Sequence, residues 1–194
     1  MITLQAGAPG LEAQSSGVMA AKVLITGRPG VGKTTLIKRI VEALPSAAGF
    51  YTEEIREGGS RKGFNLVGLS GPKGSVAGLS QGAATALAHV EFKGPHRVGK
   101  YGVDVRGFEG FLDELSPGEA GLVVIDEIGK MECLSEKFRI LVKEILKSDK
   151  TVVATIAQKG TPFIEGLKRM PGVRLLEITE GNRGRLLKEI LGLI

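Results

Sequence analysis

Lys33 and Thr34 close the string Gly27-Arg28-Pro29-Gly30-Val31-Gly32-Lys33-Thr34, which fits the spacing G-x-x-x-x-G-K-[ST]. Residues of these types at this spacing bind phosphate. Glycines let the backbone curl until successive N–H groups converge on anionic oxygens, and a helix that begins there adds partial positive charge. Lys33 would reach the β and γ phosphates of a nucleotide. The Thr34 hydroxyl would ligate Mg²⁺, a hard cation that takes oxygen donors and completes its shell with phosphates. A second string, Gly121-Leu122-Val123-Val124-Ile125-Asp126-Glu127, runs apolar residues into two carboxylates. Asp126 is then placed to hold the same metal, directly or through water, and Glu127 to orient and deprotonate an attacking water. The two strings read as Walker A and Walker B motifs of one site.

Such a site needs a loop between a buried strand and a helix, and carboxylates at the end of a second buried strand. The pattern supplies both. Val23-Leu24-Ile25 precedes the loop, and Leu36, Ile37, Ile40, Val41 and Leu44 follow at helical spacing until Pro45. The unbroken apolar run before Asp126 suits a strand covered on both faces, with its carboxyl end where ligands of open α/β sheets bind. Residues 151–157 read as another buried strand, with Thr155 placed to sense the γ phosphate or the water. Residues 173–179 read as a last core strand, before a helix over 186–194. Between these, 50–56 and 61–69 flank Gly58-Gly59-Ser60 as an antiparallel hairpin, and 70–82 is rich in loop residues. A short helix over 107–115 stops at Pro117-Gly118. Ser135 is placed to cap a helix whose buried stripe is Leu134, Phe138, Leu141, Val142, Ile145 and Leu146. The class expected is α/β, a mostly parallel sheet with helices on both faces and an added antiparallel hairpin.

With 194 residues the chain has the length of one domain, read as 21–194. The Gly-, Ala-, Ser- and Gln-rich stretch 1–20 reads as a disordered tail, an expression remnant or the product of an upstream start with Met19 the natural one, and has no secretory pattern. One cysteine, Cys133, excludes an internal disulfide and fits a reducing, cytoplasmic setting. No apolar run has membrane-spanning length. The net charge of +5 invites nucleic acid, but the basic residues are interspersed with acids and there is no Trp, so nucleic acid stays possible and not favoured. His89 and His96 lack companions at zinc-ligand spacing, and Cys133 lacks a His partner. Arg139 and Lys100 are the spare cations that the site could recruit.

The strings 49–59, 97–104 and Asp126-Glu127-Ile128-Gly129-Lys130-Met131-Glu132 resemble the small P-loop nucleoside-triphosphatases, the family of the thermophilic nucleoside triphosphate phosphatases and the cancer-related nucleoside-triphosphatase. The resemblance runs from Lys22 to the C-terminus. It implies a RecA-like fold and Mg²⁺-dependent hydrolysis of ATP, GTP and other nucleoside triphosphates to diphosphate and phosphate. The nucleotide contacts it implies are Gly27, Arg28, Pro29, Gly30, Val31, Gly32, Lys33, Thr34 and Thr35. It adds Leu122, Val123, Val124, Ile125, Asp126, Glu127, Ile128 and Gly129, and the pair Asn182-Arg183 beside the base. Where the family continues that pair with Asp, this chain has Gly184. Two other classes stay open on the residues: a nucleotide or small-molecule kinase, and a nucleic-acid- or protein-binding module switched by nucleotide. The oligomeric state is not readable from the sequence.

Overall fold

The computed structural model describes residues 20–70, 84–115 and 120–194. The expected tail over 1–20, apart from Ala20, most of the loop-rich stretch 70–82 and the helix stop at Pro117-Gly118 lie outside these residues. Along the chain run β1 (Lys22–Thr26), α1 (Lys33–Ala43), β2 (Ala48–Glu57), β3 (Ser60–Ser70), β4 (Ala84–His89), β5 (Arg97–Val98), β6 (Tyr101–Val103) and α2 (Val105–Glu114). Then come β7 (Leu122–Ile128), α3 (Glu136–Lys147), β8 (Thr151–Ile156), α4 (Pro162–Leu167), β9 (Val173–Glu177) and α5 (Arg183–Leu191). The strands form one sheet in the order β5-β6-β4-β3-β2-β7-β8-β1-β9.

Apolar runs build the parallel part because both of its faces are covered. In β1, Val23 and Ile25 point into one core with Leu36, Ile37 and Ile40 of α1 and Leu186 and Ile190 of α5. Leu24 points the other way, into a second core with residues of α2, α3 and α4. The same alternation splits Val124 from Val123 and Ile125 in β7, as the period-two geometry of a strand requires. Phe50 of β2 anchors the second core, edge-on to Phe108 at 6.0 Å and Phe111 at 5.8 Å between ring centroids. Such aromatic packing adds specificity to area burial.

The antiparallel part is larger than a hairpin. Ala48, Gly49 and Phe50 pair in parallel with Val123, Val124 and Ile125, so β2 is itself a core strand. Its remainder leaves that partner and continues beside β3, after which β4, β6 and β5 extend the antiparallel half. Among the described residues, parallel and antiparallel ladders are therefore equal in number. The hairpin of β2 and β3 was legible, whereas β5 and β6 escaped sequence reading because two-residue and three-residue strands carry too little periodicity to register.

Three local readings change. The last strand is an edge, not a core strand: among the described residues β9 pairs only with β1, and Leu175 is 42% exposed. Leu134 leaves the α3 stripe, since it lies in a 3₁₀ turn (Glu132–Leu134) before the helix and is exposed. The final helix starts three residues early, at Arg183, because Asn182 already accepts the turn. Ser135 caps α3 as expected, its hydroxyl accepting from the Phe138 N–H at 3.0 Å.

Candidate functional site

The carboxyl ends of β1, β7 and β8 meet where the phosphate loop leaves β1. Gly32 is the residue before α1 and sits at φ +107°, a left-handed conformation that a side chain would strain. That turn starts the helix at Lys33. Its ammonium folds back onto the loop, donating to the Gly27 carbonyl at 3.1 Å and the Arg28 carbonyl at 3.4 Å. The loop and its lysine thus lie together at the carboxyl end of β1. Thr34 follows, one residue into the helix, on the wall of a cavity beside the loop.

Asp126 and Glu127 fall at a register irregularity between β7 and β8. Asp126 is 1% exposed. One of its oxygens accepts from the Thr155 hydroxyl at 2.5 Å, and the other lies 3.4 Å from the Thr52 hydroxyl. Thr155 therefore serves the aspartate, rather than standing free to sense phosphate or water. The topology explains the contact: β8 lies between β1 and β7, so its end faces the carboxylate directly.

Glu127 lines a cavity of about 570 Å³ that it shares with Pro29, Gly30, Gly32, Lys33, Thr34 and Thr35. Burial pushes its carboxyl above the ordinary range, with Lys33 opposing and Asp126 adding to the rise. A smaller cavity of about 250 Å³ touches Glu127 from its other side and includes Gly129 and Glu132. Glu132 is buried, its carboxyl accepting from the Gly129 N–H at 3.1 Å. Burial, with the nearby charges of Glu127 and Asp126, holds it up at about 8.

The sequence-derived residues divide by these positions. Leu122, Val123, Val124, Ile125 and Ile128 are core side chains that carry the carboxylates and do not line the cavity. Gly27 and Arg28 act through their carbonyls on Lys33, and Val31 packs against the α1 core. Arg183 lines a separate cavity of about 280 Å³ with Gly32, Thr35, Leu36 and Arg39. Asn182 instead spends its amide locally, accepting from the Thr179 N–H at 2.8 Å and donating to the Glu177 carbonyl at 2.7 Å. Arg139 is not brought to the loop; it pairs with Glu136 on α3. Lys100 donates to the Arg61 carbonyl at 3.2 Å. Cys133 is no nucleophile, because burial and Glu132 push its thiol up to about 12.

Sequence reading missed the far wall of the cavity. Thr52, Glu53 and Glu54 of β2 and Arg61 and Phe64 of β3 line it, together with Lys38 of α1. The resemblance over 49–59 took in Thr52, Glu53 and Glu54 but not Lys38, Arg61 or Phe64, since a hairpin's place over a site is a matter of topology.

Comparison with known proteins shows the family and the fold. The family model described as NTPase matches residues 22–191. The nucleoside-triphosphatase THEP1 of Thermotoga petrophila is 49% identical, covering 88% of this chain and 90% of its own. The crystal structure of THEP1 from Aquifex aeolicus superposes with a TM-score of 0.77 at 39% identity, over 89% of this chain and 98% of that one. The solution structure of a human cancer-related nucleoside triphosphatase gives 0.70 at 37% identity, over 89% and 96%. A family model over residues 22–191, an α/β P-loop fold shared with solved structures, and relatives this similar over nearly their whole length identify the chain as a member of the NTPase family.

Proposed function

We propose that residues 21–194 act as one enzyme domain that hydrolyses nucleoside 5′-triphosphates, ATP and GTP among them, to diphosphate and phosphate with Mg²⁺. The observation that carries this reading is Glu127 on the wall of the phosphate-loop cavity, near enough to Lys33 for their charges to interact. A carboxyl raised by burial is a better base near neutral pH than an ordinary one.

The residues present fit Mg²⁺. Asp126 and the hydroxyls of Thr34, Thr52 and Thr155 offer oxygen chemistry only, and the described residues contain no group of three His, Cys, Asp or Glu that would hold a metal by itself. Mg²⁺ suits such a partial set because it keeps waters and substrate phosphates in its shell. Thr34 and Asp126 would hold it, and when bound it would neutralise charge on the β and γ oxygens. Lys33 and the loop N–H groups bind and orient the phosphates. Thr155 fixes the Asp126 carboxylate. Glu127 holds the water in line with the γ phosphorus and takes its proton as the bond forms.

The test is phosphate release from ATP, GTP, CTP and UTP with Mg²⁺, for the wild type, Glu127→Gln and Lys33→Ala. Acceptor-independent release across several bases supports the reading. With it, Glu127→Gln should keep binding and lose turnover by about 10²-fold or more, and Lys33→Ala should weaken binding and turnover together. Release only after a nucleoside monophosphate or another acceptor is added would make the enzyme a kinase, and full turnover in Glu127→Gln would remove the glutamate from the mechanism.

A further inference from the structure

Hydrolysis at the phosphate loop spreads negative charge over the transferred group, and cations that meet that charge only in the transition state accelerate the reaction. Besides Lys33, two cations stand on the wall of the 570 Å³ cavity, Lys38 and Arg61. Lys38 is engaged with Glu53 at 2.6 Å and lies over the Tyr51 ring. Arg61 is held in another way. Its Nε donates to the Tyr101 hydroxyl at 3.1 Å, and its guanidinium carbon stands 5.1 Å from the centroid of the Phe64 ring. These contacts fix the stem and the guanidinium plane. Nη1 pairs with Glu54 at 2.7 Å, and Nη2 has no hydrogen-bond partner among the described residues.

The Glu54 pair is easily given up. Both side chains are partly exposed, at 44% for Arg61 and 38% for Glu54, and exposed pairs contribute little. Glu54 also keeps Arg56 on its other oxygen at 2.6 Å, so its charge stays compensated when Arg61 turns away. Phe64, under the guanidinium, lines both this cavity and the smaller one beyond Glu127. Arg61 thus lines the same cavity as the proposed base and the loop residues Pro29, Gly30 and Gly32.

We propose that Arg61 is a further catalytic residue, an arginine supplied within the chain that leaves Glu54 to donate to the γ-phosphate oxygens in the transition state. The inference rests on the hydrolysis reading. In the step itself the water oxygen bonds to the γ phosphorus, the bridging oxygen leaves with the diphosphate and its electron pair, and Glu127 takes the proton. Arg61 makes and breaks hydrogen bonds only.

The experiment compares Arg61→Ala, Arg61→Lys and Glu127→Gln in the full chain. It measures kcat and KM for ATP, affinity for MgADP, trapping of MgADP by aluminium fluoride, and melting temperature. Arg61→Ala should lower kcat by roughly 10²-fold or more, lose the aluminium fluoride complex and keep MgADP affinity and melting temperature. Added guanidinium at concentrations below those that unfold the protein should restore part of its turnover. Arg61→Lys should recover little, because an ammonium cannot reproduce the planar fork; it also decides the matter if the alanine variant fails to fold. If both Arg61 variants turn over within twofold of wild type while Glu127→Gln is inactive, the arginine has no catalytic role and the hydrolysis reading stands. If Glu127→Gln is fully active, both fall. An equal loss of MgADP affinity and kcat would mark Arg61 as a ground-state contact and overturn the proposal.

Discussion

Asp126 and Glu127 are adjacent in the chain and live in different environments. Asp126 is buried against two hydroxyls, while Glu127 lies on the wall of the cavity beside Lys33. Thr155 should therefore matter through Asp126 alone. Thr155→Val removes the 2.5 Å hydrogen bond while nearly conserving shape, and the proposed metal site predicts that half-saturation by Mg²⁺ rises about tenfold, as measured by turnover against Mg²⁺ concentration. Unchanged Mg²⁺ dependence would separate the threonine from metal binding. The glutamate makes a prediction about pH. A base works deprotonated, and burial raises the Glu127 carboxyl, so kcat/KM should climb with pH along an acid limb lying above the ordinary carboxylate range. That limb should vanish in whatever residual activity Glu127→Gln retains.

Positioning depends on two elements whose fit is close. Gly49 carries β2 past β7, where an added Cβ would stand 1.9 Å from the Val124 carbonyl oxygen. Gly49→Ala must push the strands apart just upstream of both the carboxylates and Thr52. It should cost about 1–3 kcal/mol in urea unfolding, and depress turnover because β2 supplies the far wall. Ser135→Ala is its milder counterpart. The hydroxyl caps α3 and also donates to Glu109 of α2 at 2.8 Å, so its loss should cost about 1 kcal/mol. The cap lies behind the second core, and turnover at saturating ATP should stay near wild type. A Gly49→Ala protein of wild-type stability would show that the strands can separate freely, against the packing seen here.

Across the whole molecule, burial at the site should appear in the pH dependence of folding. Glu132 is held at about 8 in the folded chain, against an ordinary value of 4.5. Between those values the folded state binds more protons at this position than the unfolded state does. Stability should accordingly fall as pH rises from about 4.5 to about 8 and level off beyond. Glu132→Gln removes the titration, and urea midpoints measured across that range should be flatter than for the wild type. A wild-type profile that rises over the same interval, with no difference in the variant, would place the Glu132 charge in a better-solvated setting than this fold gives it.

What the chain determines by itself is local chemistry and its period. Glycines at fixed offsets before Lys33, an apolar run ending in Asp126 and Glu127, and Ser135 three residues before Phe138 are each legible because the interactions span a few residues. Those signals were enough to read an α/β class and to propose a phosphate site, and the longer strings 49–59 and 126–132 pointed to the family. Tertiary structure alone decided which distant groups meet. That β8 enters between β1 and β7 puts Thr155 on Asp126, that β2 is at once a core strand and half of a hairpin brings Arg61 over the cavity, and that α3 turns Arg139 toward Glu136 removes it from the site. Strand order is set by how the sheet buries both of its faces at once, a sum over the entire core that no local run of residues contains.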